Sequence, residues 1–349
     1  MPARNLSALL QDVQPDGFAT AFCFTGEGCE LPDGAAHGGL SKNDSTPVTP
    51  DTPVRIASNT KTFTAAAVLR LYEQQKLSLS SPVAPLLSPQ YVRWLTEAGY
   101  DLNAITVQHL LSHSSGLYDH ADKKYIRDVL ADPGHLWTRD EQIRLYVSRG
   151  YPLMKPGLCF LYSDTGYLLL GDIIERITQL PLAQAVRQLL RFDAPGMESA
   201  YWELEEPAPA GLPPRAHQYL GNIDGETISP TMDLWGGGGL IMSVNALAVF
   251  MANLFEGRIF DKPDTLETML KPGSHDGAED YRCGVMVTER DGQTLWYHLG
   301  FWGTAAYYHP QKKIAAAGFV NNRDTRPWLM NLLESSLCQD DESPLKKGI

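Results

Sequence analysis

The chain has little positive charge. Its 349 residues carry 29 Lys and Arg against 41 Asp and Glu, a formal net charge of −12, and no basic run. Phosphate backbones and anionic lipid headgroups recruit basic patches, so neither nucleic acid nor a membrane surface is an expected partner. Cysteine is also sparse: Cys23, Cys29, Cys159, Cys283 and Cys338 form no Cys-x-x-Cys pair. An odd number without that spacing argues for reduced, mostly buried thiols. No stretch approaches the ~18 apolar residues needed to cross a bilayer. Residues 1–13 lack the uninterrupted apolar region of a secretory signal and read instead as a short amphipathic helix. A cytoplasmic location is therefore expected. What is present, 43% hydrophobic and 20% charged residues, is ordinary globular material, enough for one large domain or two interleaved ones.

Strand signals cluster at the two ends. Residues 17–25 place Phe18, Phe22 and Phe24 on one side, and a glycine-rich segment follows to Leu40. Near the other end, residues 281–288, 294–299, 304–308 and 313–320 read as strands. Residues 107–111, 139–147, 165–177 and 182–190 have helical period and polar flanks. Strands from both ends must pair in one antiparallel sheet to satisfy their edges, which leaves the helical middle beside it. The proline-rich run 206–214 marks a surface excursion rather than a linker.

Ser58-Asn59-Thr60-Lys61 stands where an extended stretch, residues 53–57, gives way to a helix rich in Phe63, Ala65, Ala66, Val68, Leu69 and Leu71. So little polar surface predicts a central helix packed on most sides. A serine and a lysine three apart share one helix face, so the amine reaches the hydroxyl proton and the nucleophile has its base beside it. Desolvation there lowers a lysine's pKa toward the range where it accepts a proton. The spacing also fits a helix N-cap serine followed by a solvated lysine, and it recurs at Ser343-Pro344-Leu345-Lys346, where a proline and a charged tail set it aside.

Two further motifs weigh against the structural alternative. Tyr162-Ser163-Asp164 lies where a short strand-like run turns into an apolar helix, and no other Tyr-x-Asn or Tyr-x-Asp occurs in the chain. His298-Leu299-Gly300 lies in an aromatic run that reads as a buried strand with close backbone approach at its glycines. His37 and His275 have the same spacing to a glycine but sit in turn sequence.

Taken in order, the three motifs resemble those of the penicillin-recognising SxxK serine hydrolases. The branch in question contains class C β-lactamases, D-Ala-D-Ala carboxypeptidases, D-aminopeptidases and related carboxylesterases. The likeness extends to Leu110-Leu111-Ser112-His113-Ser114-Ser115-Gly116-Leu117 and to Gly236-Gly237-Gly238-Gly239-Leu240-Ile241-Met242-Ser243, and covers residues 18–335. It implies an α+β, β-lactamase/transpeptidase-like fold: an antiparallel sheet flanked by helices plus an all-helical lobe. The α/β lobe would come from residues 1–75 and 235–340, the helical lobe from residues 76–234, with a tail at 341–349. Ser58 is then the nucleophile, Lys61 takes its proton directly or through Tyr162, and Tyr162 relays a proton to the leaving group. The oxyanion is held by the backbone N–H groups of Ser58 and Phe301. Asp164, His298 and Gly300 border the substrate, a small molecule or short peptide, and no metal or organic cofactor takes part.

Two positions depart from the commonest pattern. His298 replaces a lysine, and an imidazole, largely neutral near pH 7, attracts a carboxylate less than an ammonium does; this argues against penicillin as substrate. Asp164 replaces an asparagine. A carboxylate beside Lys61 favours its charged form, so either Tyr162 carries more of the proton transfer or Asp164 turns outward to a cationic group such as a free α-amine. A third possibility is that Asp164 only caps the following helix. His113, Asp119, His120 and Asp122 lack the spacing of a helical zinc site. The Gly236–Gly239 run lacks the form of a phosphate loop and reads as close packing beside the cleft. The expected function is a serine hydrolase acting through an acyl-enzyme on a small ester or a D-amino-acid amide or peptide. A D-Ala-D-Ala carboxypeptidase, a β-lactamase, a transacylase and a non-catalytic scaffold or sensor are the alternatives.

Overall fold

The computed structural model describes residues 10, 18–29 and 33–339. The amphipathic helix expected at residues 1–13, the tail from 341 and the second Ser-x-x-Lys lie outside the described residues, Leu10 excepted. Strands β1 (Thr20–Thr25) and β2 (Asp33–His37) are followed by a small hairpin, β3 (Gly39–Ser41) and β4 (Asp44–Pro47), then by β5 (Val54–Arg55) and helix α1 (Thr60–Glu73). The middle is helical through α2 (Pro89–Glu97), α3 (Val107–Leu111), α4 (Lys123–Ala131), α5 (Arg139–Arg149), α6 (Asp164–Thr178) and α7 (Leu182–Leu189). It also contributes three two-residue strands, β6 (Tyr201–Trp202), β7 (Tyr219–Leu220) and β8 (Ile223–Asp224). Next come β9 (Leu240–Met242), α8 (Val244–Phe255) and α9 (Pro263–Leu270). The chain returns through β10 (Met286–Arg290), β11 (Gln293–Leu299), β12 (Thr304–His309) and β13 (Ile314–Val320) to α10 (Arg326–Cys338).

The two ends build one six-stranded sheet in the order β10-β11-β12-β13-β1-β2. Every pairing in it is antiparallel, with Phe22 opposite Gly318 where β1 meets β13. Side chains alternate between its faces, as a period of two requires. Phe22, Phe24, Ala316 and Val320 pack with Leu329, Leu333 and Leu337 of α10. Ala21, Cys23, Ala315, Ala317 and Phe319 join the larger core, which includes Leu247, Phe250 and Met251 of α8. A separate three-stranded sheet, β5-β9-β6, carries the chain toward Ser58.

α1 is buried along nearly its whole length, as its apolar sequence predicts. Its far end is polar and satisfied: Arg70 pairs with Glu73, whose carboxylate accepts the Asp261 and Lys262 amides at 3.2 Å. Cys23, Cys159, Cys283 and Cys338 are free thiols, and all of these but Cys159 are buried. Among the described residues no helix is long and apolar enough to cross a membrane.

Two segments differ from expectation. The strand expected from residue 281 begins at Met286, because the preceding turn packs on α1. There Thr62 Oγ1 donates to the Gly284 carbonyl at 2.7 Å, and a Cβ on Gly284 would lie 2.4 Å from Ala65 Cβ. The strand-like run before Asp164 forms no ladder; the Phe160 amide bonds to Asp276 O and the Leu161 amide to His113 O, both at 2.7 Å.

Phe63 anchors α1, stacked on Phe250 with ring centroids 3.6 Å apart and edge-on to Phe192 at 5.9 Å. Phe63→Ala is expected to lower the unfolding free energy by about 3–5 kcal/mol. Urea titration checks this, and a loss below about 1 kcal/mol would show that α1 is not packed as described.

Candidate active site

α1 begins at Thr60, and Ser58 lies in the short 3-10 turn Ala57–Asn59 that precedes it. Ala57 has a φ of +48°, a left-handed conformation that costs a non-glycine residue roughly 1–2 kcal/mol. A latch holds this turn. Asn59 Nδ2 donates to Ile56 O at 3.1 Å and to Thr304 Oγ1 at 2.9 Å, and Thr304 Oγ1 donates to Ile56 O at 3.1 Å. Gly300 allows β11 to end this close, since a Cβ there would stand 2.0 Å from Thr304 Oγ1 and 2.4 Å from Ile56 O. Its visible part is thus close backbone approach to the turn that carries Ser58.

Lys61 is fully buried. Its Nζ donates to Ser58 Oγ at 2.9 Å and to Gly237 O at 2.8 Å, and pairs with Asp164 Oδ1. An ammonium has three hydrogens, and three acceptors surround this one. The glycine run forms the facing wall as expected: Trp235 and Gly236 have φ of +56° and +108°, and a Cβ on Gly237 would lie 3.7 Å from Lys61 Nζ.

Asp164 does not turn outward, and its ion pair with Lys61 replaces the outward orientation considered from sequence. Nor does it cap its helix: the N-cap residue, Ser163, makes no side-chain cap bond, and the Asp164 amide donates instead to Asp119 Oδ1 at 3.0 Å. Burial alone would raise the Asp164 pKa, but the charges of Lys61 and His120 outweigh it and hold the carboxyl below its usual value. Burial and the Asp164 charge push Asp119 the other way, to about 7. Burial raises Asp233 to about 6.

Tyr162 is half-buried, with Lys61 Nζ 5.2 Å from its ring centroid and its phenol interacting with the Ser58 hydroxyl. Burial, then the Asp164 charge, raises the phenol well above its ordinary value. It stays protonated, fit to pass a proton on but not to act as a standing base. The His113 ring lies tilted against it with centroids 4.2 Å apart, and its Nδ1 accepts the Ser163 amide at 3.1 Å. His120 Nδ1 lies 2.9 Å from Thr165 Oγ1.

His298 is buried, with Nε2 3.3 Å from the Tyr281 hydroxyl and Nδ1 3.0 Å from the Leu299 backbone. Burial, then the Lys61 charge, pushes it down to about 3, so the imidazole is neutral in the physiological range. Its ring meets that of Tyr281 edge-on, with centroids 6.1 Å apart, and a cavity opens beside Ser58.

That cavity measures about 390 Å³, and its lining includes Ser58, Asp164, Asp233, Gly237, Phe301 and Arg323. The proline-rich run does not contribute to it. Ser58 and Phe301, the expected oxyanion donors, are brought to one wall by Gln218. Its Oε1 accepts the Arg55 amide at 2.8 Å, and its Nε2 donates to Arg55 O at 3.0 Å and Trp302 O at 3.1 Å. Gln218, Asp233 and Arg323 carry no local signal in sequence, whereas Asn59 sits inside the first motif and was open to notice.

The Beta-lactamase family model matches residues 29–331. Esterase EstB of Burkholderia gladioli is 36% identical over 162 residues, 44% of this chain and 40% of its own length. A putative D-alanyl-D-alanine carboxypeptidase of Escherichia coli strain K12 is 32% identical over 135 residues, 38% of this chain and 30% of its own. The matched stretches cover 40%, 32% and 54% of the lengths of three such relatives. Among solved structures, a penicillin binding protein from Bacillus halodurans superposes with a TM-score of 0.77 at 22% identity, covering 95% of this chain and 99% of that one. D-amino acid amidase from Ochrobactrum anthropi SV3 does so with 0.77 at 22% identity, covering 95% and 98%. At that identity the likeness concerns the fold.

Two substitutions probe the site. Asp164→Asn breaks the ion pair with the buried Lys61 and is expected to lower the unfolding free energy by about 3–5 kcal/mol, read by urea titration. A loss below about 1 kcal/mol would show that the pair does not hold these segments together. Gly300→Ala forces Thr304 and Ile56 apart and is expected to lower kcat/KM about 10²-fold, measured on a neutral ester; an effect under about threefold would show that the latch does not hold Ser58.

Proposed function

The chain belongs to the Beta-lactamase family, and we propose that it is a serine hydrolase that forms an acyl-enzyme on Ser58 and cleaves a small ester or a D-amino-acid amide or peptide. The observation that carries this is the 2.9 Å hydrogen bond between Lys61 Nζ and Ser58 Oγ on the wall of an open cavity. A hydroxyl whose base is fixed at hydrogen-bond distance is the activated nucleophile of covalent catalysis. The cavity, about 390 Å³, stands near the lower end of the roughly 300–1,000 Å³ typical of ligand sites, which favours a small substrate.

The competent form is the one from which a proton of the Lys61–Asp164 pair has departed. Lys61 then accepts the Ser58 proton as Oγ attacks the carbonyl, and the amides of Ser58 and Phe301 take the developing oxyanion. Tyr162 hands a proton to the leaving group, and water cleaves the ester on Ser58. A neutral His298 supports uncharged recognition at the third motif and weighs against penicillins.

A fluorophosphonate is expected to add once, on Ser58, as read by intact mass and peptide mapping. Ser58→Ala should take up no label and lose at least about 10³-fold in kcat/KM on p-nitrophenyl acetate. Label on another residue, or full activity in Ser58→Ala, would refute the assignment.

A further inference from the structure

Three carboxylates line the cavity, and two are engaged. Asp122 accepts the Tyr125 amide on one oxygen at 2.8 Å and the Tyr118 hydroxyl on the other at 2.6 Å. Asp164 pairs with Lys61. Asp233 has no hydrogen bond or ion pair among the described residues, and only burial and the charges around it bear on its titration. It ends the short turn Pro230–Asp233 and enters the wall beside Lys61, in space opened by Gly238, where a Cβ would lie 2.3 Å from its Oδ1.

A cation with no ion pair among the described residues stands on the Phe301 side. The Arg323 guanidinium lies 4.1 Å from the centroid of the Phe301 ring and lines the same cavity. Lys123 also reaches the rim but is exposed, where water screens it. Stacking orients Arg323, and a planar guanidinium offers a carboxylate two parallel hydrogen bonds. Half-buried carboxylates and guanidiniums left without partners are costly, and a ligand of matching charges relieves both.

We propose that the cleft recognises a zwitterionic short peptide, with Asp233 receiving its α-ammonium, Arg323 its terminal carboxylate, and the scissile carbonyl at Ser58 between them. This rests on the serine-hydrolase function above and narrows its substrate to free dipeptides. In the first step Ser58 Oγ bonds to the peptide carbonyl carbon and the C–N bond breaks, with the departing nitrogen taking the proton that left Ser58. Water then adds to the acyl carbon, the C–Oγ bond breaks, and one proton of the water returns to Ser58, leaving two free amino acids.

The test compares kcat/KM of the native enzyme on D-alanyl-D-alanine and L-alanyl-L-alanine with their N-acetyl and C-terminal amide forms, alongside p-nitrophenyl acetate. For at least one stereoisomer, blocking either end is expected to cost about 10- to 100-fold, the range of a hydrogen bond between charged groups. The free-to-acetylated ratio should fall toward one in Asp233→Asn, and the free-to-amidated ratio toward one in Arg323→Gln. Blocked and free peptides cleaved alike by the native enzyme, or ratios that persist in the variants, would overturn the proposal. Ester turnover without cleavage of any dipeptide would overturn it while leaving the acyl-enzyme on Ser58 standing. A native enzyme inert to ester and peptides alike would strike at both.

Discussion

Lys61 is a buried amine with three acceptors drawn from three parts of the chain: Ser58 Oγ from the turn before α1, Gly237 O from the glycine run, and Asp164 Oδ1 from the start of α6. Leaving such a group unpaired in the interior costs several kcal/mol, so these segments converge on one point. The rest of the site follows from that convergence. Gly238 must lack a side chain to leave room for Asp233, and Asp119 steadies the start of α6 through the Asp164 amide. Asp164 in place of a neutral amide makes the amine beside Ser58 half of an ion pair.

Backbone strain gathers around the same point. Ala57, His113 and Trp235, none of them glycine, have φ of +48°, +53° and +56°, and each belongs to a segment that lines or supports the cleft. Conformations of this kind persist only where their surroundings over-determine them. Here Gln218 ties the strand before Ser58 to the Trp302 carbonyl, and Asn59 and Thr304 fasten the Ile56 carbonyl. Ser58 and Phe301 are positioned by buried side-chain amides and a hydroxyl reaching between distant strands.

Much of this was legible in the sequence because it is encoded locally. The apolar run after Lys61 announced a buried helix, the alternation in residues 17–25 and 313–320 announced sheet strands, and three spaced motifs announced which side chains would meet. What was not legible depends on contacts between distant residues. The Tyr281 segment looks like a strand by composition, but Gly284 packs it on α1 instead. The orientation of Asp164 turns on competition between Lys61 and solvent, which no local pattern reveals. His298 falls on a strand as its surroundings in sequence suggest, yet its partner Tyr281, seventeen positions earlier, belongs to no motif that would announce the contact. Asp233, Gln218 and Arg323 stand in stretches with no motif, and only the fold brings them to the cleft.

The central claim is that the buried amine of Lys61 activates Ser58 for covalent attack. The most direct measurement is acid-quenched peptide mapping during turnover of a short p-nitrophenyl ester, in the native protein and in Lys61→Ala. Acyl mass on the peptide containing Ser58, formed in the native protein and absent from Lys61→Ala, is the expected result. Acyl mass on any other peptide, or equally fast acylation of Ser58 without the lysine, would contradict it.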